Sequence, residues 1–301
     1  MGNIRKACAR RIESGHRTSK LQSAMEYLMT YGWAILIIAI VLVALFSLGV
    51  FNSANFAPKA PPGACQVFRP NGPGTTFDLN LEGECNGELP QYATNFQSSS
   101  DYVSVANPSY MPTKTDFTLS SWVYDLPGYA SWETVVETNE FDFERMGGYG
   151  TILRFVSGIG GGASSSGGIP VGRWNYFVVT INSTATKIYV NGTLIATGSG
   201  GSNTISISAI RFGEAGLSGL GGSDQWYGYL ANIQIYNTSI SANDINTLYN
   251  EGIGGAPIDL QNLVGWWPLN GNANDYSGNQ NNGVATNLVY TTSWASSYTP
   301  P

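Results

Sequence analysis

"GRWNYFVVTINSTATKIYVNGTLIATG", residues 172–198, decides the fold. Two runs rich in aromatic and β-branched residues alternate apolar with polar positions, the period of a half-buried strand. They are parted by Asn191-Gly192, the dipeptide that best accepts the two positive φ angles of a tight hairpin turn. Reading outward, the same pattern recurs in "DYVSVANP" (101–108), "DFTLSSWVYDLP" (116–127), "AIRFGEAG" (209–216) and "YGYLANIQIYN" (227–237). In the second of these, alternation predicts Phe117, Leu119, Ser121 and Val123 on one face and Trp122 on the other. A single helix is predicted here, "SANDINTLYNEG" (241–252). Ser241 is its N-cap, Asp244 stands three residues on, Ile245, Leu248 and Tyr249 form its apolar stripe, and Gly252 stops it.

The chain has 301 residues, 37 glycines and only 11% charged residues, with a formal net charge of -6. Positive charge is concentrated at the start, where Arg5, Lys6, Arg10, Arg11, Arg17 and Lys20 oppose one acid, Glu13. The remainder is strongly acidic. No nucleic-acid partner is expected of such a surface, since those proteins neutralise phosphates with clustered Lys and Arg.

From Tyr27 to Ala57 there is no charge and no proline. A helix over about residues 25–51 would be near 40 Å long, enough for a hydrocarbon layer of about 30 Å. Basic residues before it predict a cytoplasmic N-terminus and an extracellular remainder. Glu26 stands at the lip of this run, costly unless a positive group neutralises it. The polar boundary precedes the apolar run, which points to cleavage ahead of the helix rather than behind it.

"SKLQSAMEYLMTYGWAILII" (19–38) resembles the class III signal of archaeal type IV pilins. The resemblance implies a basic leader over 1–21, a prepilin-peptidase cut between Leu21 and Gln22, and Glu26 as fifth residue of the mature chain. In that family the glutamate meets the free amine of a neighbouring subunit in a filament, so the resemblance implies other pilin subunits and the membrane as partners. An uncleaved signal anchor, with Glu26 at headgroup level, is the alternative. The hydrophobic helix is expected over 22–52 and a Pro/Gly-rich linker and neck over 53–90. Cys65 and Cys85 flank a short hairpin or loop; facing an oxidising exterior they can pair, and otherwise they are free thiols. No zinc site is expected, since the one histidine, His16, is on the other side of the apolar run.

The string "SSSDYVSVANPS", "FTLSSWVY", "GRWNYFVVTIN", "TKIYVNGTLIA", "IRFGEAG" and "GYLANIQIYNTSISANDINTLYNEG" resembles the laminin-G-like, concanavalin A-like jelly roll over about residues 92–250. It departs from that family in one respect. "LVGWWPLNGNANDYSGNQNNG" (263–283) resembles a segment that normally opens the fold, yet it follows the last strand. Either the sandwich is circularly permuted and takes this strand back into its sheet, the reading preferred here, or a second copy begins and is cut short. The fold expected is therefore mainly β: a long N-terminal helix, then an antiparallel β-sandwich over 91–301 with its first strand at the C-terminus, in 263–290.

"ETNEFDFERM" (137–146) is the one string that suggests catalysis. On a strand Glu140, Asp142 and Glu144 would share a face. This resembles the E-x-D-x-E signature of retaining family 16 glycoside hydrolases, which implies Glu140 as nucleophile, Asp142 as its support and Glu144 as general acid. The preferred reading is a solvated strand face, with Arg145 pairing an exposed acid and no catalytic residue. No resident cofactor is expected. Calcium is the one possibility raised, through Asn270, Asn272, Asn274 and above all Asp275 in "NGNANDYSGN", since oxygen donors on a loop suit it; the same residues also make turns.

Trp132, Tyr149, Trp174, Trp226, Trp266 and Trp267 are the aromatics available for glycans, and glycine-rich loops at 157–168, 198–201 and 213–222 offer a rim. Asn182, Asn191 and Asn237 open glycosylation sequons, with Asn191 in the tightest turn. Together these features predict a pilin-like cell-surface subunit whose extracellular sandwich binds glycans or proteins. The rival classes are a membrane-tethered glycosidase and a monomeric signal-anchored binding protein.

Overall fold

The computed structural model describes residues 29, 31–44, 66–68, 77–79, 90–113, 115–127, 131–146, 152–202, 204–219 and 224–301. The chain divides into two compact units, 1–57 and 58–301. In the first, helix α1 covers 31–44, and every residue of it is exposed, Trp33 at 67% and Ile35 at 65%. A helix apolar on all sides is at home only among other apolar groups. Among the described residues no helix is long and apolar enough to cross a membrane. Leu21, Gln22, Glu26 and the remainder of the predicted 22–52 helix lie outside the described residues.

The second unit begins with β1 (Gln66–Phe68) and β2 (Phe77–Leu79), an antiparallel pair. Cys65 and Cys85 lie outside the described residues. Twelve strands follow before the helix: β3 (Ala93–Phe96), β4 (Tyr102–Ala106), β5 (Phe117–Asp125), β6 (Trp132–Thr138), β7 (Phe141–Met146), β8 (Ile152–Ser157), β9 (Gly162–Ser164), β10 (Trp174–Ile181), β11 (Ala185–Val190), β12 (Thr193–Ser199), β13 (Ala209–Phe212) and β14 (Gly228–Tyr236). Helix α2 (Ala242–Glu251) comes next, then β15 (Leu263–Trp267), β16 (Val284–Thr286) and β17 (Val289–Thr291).

All the pairings are antiparallel, in the order β16-β4-β13-β6-β7-β8-β9-β12-β11-β10-β5-β14-β3-β17, with β15 also on β14. The ladder folds over at β9 and β12, so that a front sheet (β4, β13, β6, β7, β8) faces a back sheet (β11, β10, β5, β14) across one core. Phe117 of β5 stacks on Phe141 of β7 with centroids 5.1 Å apart, and Val103, Val136, Phe143, Phe155, Phe177 and Phe212 join the same cluster. This is a jelly-roll-like antiparallel sandwich.

Alternation works as predicted in β5. Phe117, Leu119 and Val123 enter the inter-sheet core, while Trp122 packs on the outer face of the back sheet. There α2 supplies a second apolar layer: Ile245 and Leu248 are buried, and Tyr249 stacks on Trp122 at 5.8 Å. The helix starts at Ser241, whose side chain and that of Asp244 cap each other's backbone N–H, and it stops at Gly252. The turn between β11 and β12 is Asn191-Gly192 with φ of 51° and 75°, the double positive pair that the dipeptide predicts.

The C-terminal segment returns to the sandwich. β15 pairs with β14 over Ile233–Tyr236, while β16 adds to β4 and β17 to β3. The asparagine-rich loop after β15 is stapled to that strand's backbone. The Asn279 and Asn281 amides both donate to the Val264 carbonyl, at 3.1 and 2.9 Å, and the Trp267 indole N–H donates to the Asn281 carbonyl at 2.8 Å.

Candidate functional site

The β6–β7 hairpin builds the site. Its register pairs Trp132 with Met146, Glu133 with Arg145 and Thr134 with Glu144, then shifts by one residue so that Val136 meets Phe143 and Glu137 meets Asp142. Such a bulge reverses the facing of every later residue of the bulged strand. Glu133 therefore points into the sandwich and Glu137, four residues on, points out of it.

On the outer face Glu137, Asp142 and Glu144 are all fully buried. The solvated strand face expected for this string is thus corrected, because a strap of chain from the β13–β14 connection lies over it. Glu137 holds the strap: its Oε2 accepts from the Leu217 N–H at 2.8 Å, and its Oε1 from the Ser218 N–H at 2.8 Å and hydroxyl at 2.7 Å. Asp142 accepts from the Thr134 hydroxyl at 3.4 Å through Oδ2, and its Oδ1 has no hydrogen-bond partner among the described residues. Burial, reinforced by the charges of Glu144 and Glu137, pushes the Asp142 carboxyl up to about 8. Glu144 is also raised by burial, opposed by Arg154, whose Nε donates to Glu144 Oε1 at 2.6 Å. Its other oxygen, Oε2, has no hydrogen-bond partner among the described residues.

Arg154 is one-third exposed, and its guanidinium lies 3.8 Å from the centroid of the half-buried Trp132 ring. An ion pair below and an indole beside it fix the fork flat, as such cation–π contacts do. Arg154 also lines an open depression of about 470 Å3, with Val156, Ser157, Gly161, Gly162 and Ser164 around it. The glycine-rich loop 157–168 supplies this rim, and a Cβ at Gly161 would strike the Ile181 side chain at 2.4 Å.

Glu140 is apart from these groups. It stands in the turn before β7, half-buried, with its Oε1 3.5 Å from the Asn139 amide. The converging carboxylates are Glu137, Asp142 and Glu144 rather than Glu140, Asp142 and Glu144. Arg145 differs from expectation too, because it faces inward and is 1% exposed. It pairs with Asp125 of the back sheet and, at 2.5 Å, with Glu133 of the front one. Burial first, then the Asp125 charge, lifts Glu133 to about 8 against the pull of Arg145.

Asp275 accepts from the Trp266 and Ser277 backbone N–H groups through Oδ1, at 2.9 and 2.8 Å. Its Oδ2 takes the Ser277 hydroxyl and the Asn281 N–H, at 2.8 and 2.9 Å. Asn270 accepts from the Tyr92 N–H at 2.8 Å, Asn272 from the Asn274 N–H at 2.9 Å, and these hydrogen bonds give the loop its shape. Among the described residues no cluster of three His, Cys, Asp or Glu has the arrangement of a metal site.

Of the five tryptophans proposed for glycans, Trp226 and Trp267 are fully buried and Trp174 and Trp266 nearly so, which leaves Trp132 as the accessible one of that set; Tyr149 lies outside the described residues. Among the sequons, Asn237 is exposed, Asn182 caps the turn before β11 by accepting from the Thr184 and Ala185 N–H groups, and Asn191 is held between the Tyr176 N–H and the Asn175 side chain.

Glu137 and Arg154 were not singled out by the sequence reading. The register sets Glu137 opposite Asp142 across the short connection Asn139-Glu140, which carries no glycine and neither of whose residues has a positive φ, so the sequence gives no tight-hairpin signal there.

Residues 97–246 match the family model of the concanavalin A-like lectin/glucanases superfamily, of laminin-G type. No curated protein sequence matches the chain. Among solved structures, a proposed carbohydrate binding protein from Bacteroides ovatus ATCC 8483 is similar at 18% identity and a TM-score of 0.55, covering 68% of this chain. The chain spans 61% of that protein's length. The native heptameric SAP-like pentraxin of Limulus polyphemus is similar at 12% identity and a TM-score of 0.51, covering 66% of this chain and 94% of its own. At such identities the likeness is one of fold. Residues 97–246 carry a concanavalin A-like lectin/glucanase domain of laminin-G type.

Proposed function

We propose that this protein is a cell-surface glycan-binding subunit. In this reading its sandwich takes sugars on the outer face of the front sheet, and its N-terminal segment is processed and assembled as in type IV pilins. The observation that carries the binding is the Trp132–Arg154–Glu144 row beside the open depression. A fixed indole edge and a guanidinium with further N–H donors are the groups that recognise a polyol ring: an apolar surface for its C–H face and polar donors for its hydroxyls. The Bacteroides protein of similar fold, itself proposed to bind carbohydrate, agrees with that use of the scaffold.

Binding is favoured over hydrolysis by access. Glycoside cleavage needs two carboxyl groups that both reach the scissile bond. Here Asp142 and Glu144 are sealed beneath the strap and Arg154, and Glu140 is in the turn.

The pilin-like reading is supported by "SKLQSAMEYLMTYGWAILII" and by the all-round apolar character of 31–44. It places the sandwich outside the cell, with Glu26 neutralised by the amine of the next subunit.

Two measurements test the proposal. On a glycan array, Trp132→Ala in the full-length protein loses signal that the wild type shows; an unchanged profile removes the front face as the site. Mass spectrometry of the mature protein finds Gln22 as first residue; a chain that retains residues 1–21 removes the filament reading and leaves a signal anchor.

A further inference from the structure

The loop 107–112, between β4 and β5, holds an aromatic ring in water. Tyr110 is 74% exposed, more than any other large apolar side chain of the described sandwich. Its φ is 60°, in the left-handed region, where a residue with a Cβ pays about 1–2 kcal/mol. Burial of the ring does not offset this cost.

The neighbours impose the conformation. The Ser109 N–H donates to Asn281 Oδ1 at 2.6 Å, and the Asn281 amide donates back to the Ser109 carbonyl at 3.0 Å. On the other side Met111 and Pro112 are buried, and the Thr113 carbonyl accepts from the Ile205 N–H at 3.3 Å. Across the double hydrogen bond stands a second such residue, Gln280, exposed and at φ 61°. Asn107, exposed at φ 47°, completes the group. A chain under selection for stability alone would turn the ring inward or place glycine here. Instead the backbone is held rigidly in the form that presents the ring.

We infer that Tyr110 and Gln280 form a second glycan-contact site, in which the phenol ring stacks on the C–H face of one neutral pyranose and the amide meets its hydroxyls. The footprint fits a single sugar ring. A protein partner would need a far larger patch, about 800 Å2 on each side with several aromatic anchors, whereas Tyr110 is flanked by Asn107, Ser109 and Gln280. The ligand is neutral because neither 107–112 nor 276–282 contains a charged side chain. A clamped loop loses little conformational entropy on binding, which is what makes a small contact useful. The site stands independently of the front face.

The test is a neutral-glycan array probed with the full-length protein, its Tyr110→Ala, Tyr110→Trp and Trp132→Ala variants. Tyr110→Ala is expected to lose about tenfold in signal on a subset of glycans that Trp132→Ala retains, while Tyr110→Trp keeps them. Tyr110→Gly, which relieves the φ strain, is expected to melt no lower than the wild type and to lose the same subset, separating contact from folding. A Tyr110→Ala profile identical to wild type overturns this site and leaves the front face standing. Glycans lost by Trp132→Ala and kept by Tyr110→Ala assign those sugars to the front face alone. An array empty for the wild type overturns both.

Discussion

The two outer faces of the sandwich are covered by opposite means. On the back sheet Trp122, Tyr176 and Ala231 lie under Ile245 and Leu248 of α2 and under Trp294 at the C-terminal end, an apolar seal. On the front sheet Glu137, Asp142 and Glu144 lie under a strap held by hydrogen bonds to one carboxylate, with Arg154 and Trp132 at its margin. Apolar cover gains stability in proportion to area, at about 25 cal/mol per Å2, and is indifferent to pH. Polar cover depends on which groups carry charge, so it responds to pH and to ligands. One outer face is finished structure and the other is a surface kept in play.

The largest effect that separates them is truncation of an equivalent aromatic on each. Trp294 is 1% exposed and meets Trp174 edge-on at 5.8 Å. Trp294→Ala is expected to cost about 3–5 kcal/mol of unfolding free energy in a denaturant titration. Trp132→Ala, which removes a half-buried ring, is expected to cost about 1 kcal/mol or less while losing the glycans that the front face holds. Equal losses from the two variants would mean that the front face is structural as well.

The next effect is electrostatic. The folded-state value of Asp142, about 8, lies above its ordinary value of 3.8. The folded protein thus keeps a proton that the unfolded chain releases: this stability is complete below about pH 4 and is lost as pH rises through about 8. Between pH 5 and 7 Asp142 alone is expected to cost about 2–3 kcal/mol. Glu133, in the inner layer and also raised to about 8, adds to the same slope. Asp142→Asn keeps the shape and cannot ionise, so its denaturation midpoint should fall less between those two pH values. Parallel curves for wild type and variant would show that the front-face carboxyl is ionised throughout.

The difference between the faces also marks what the sequence makes legible. The back face is written in local pattern: the alternation of "DFTLSSWVY", the Asn191-Gly192 turn, and the stripe of Ile245, Leu248 and Tyr249 each follow from a few adjacent residues. The front face depends on a single inserted residue. Without the bulge between Thr134 and Val136, Glu133 and Glu137 would share a side; with it, one salts the core with Arg145 and the other latches the strap. Nothing within the strand announces that shift. Nor does the string "EFDFE" reveal its burial, because the cover arrives from residues 217 and 218, far along the chain. Likewise the four donors that meet Asp275 come from 266, 277 and 281, two of those positions outside "NGNANDYSGN", so the string alone does not show how the carboxylate is held.

The smallest expected effect tests whether the back cover stands alone. Ser241 accepts from the Asp244 N–H at 3.2 Å, and Asp244 returns the bond to the Ser241 N–H at 3.1 Å. Ser241→Ala leaves one orphan donor at the start of α2 and is expected to cost about 1 kcal/mol. The helix owes most of its stability to Ile245 and Leu248, so it should loosen at its first turn without leaving the sheet. Hydrogen exchange locates the change: faster exchange at the 244 and 245 amides, with the strap amides of Leu217 and Ser218 untouched. Faster exchange at the strap as well would show that the two faces open together, which requires the β5–β10–β14 sheet to transmit the loss across the core.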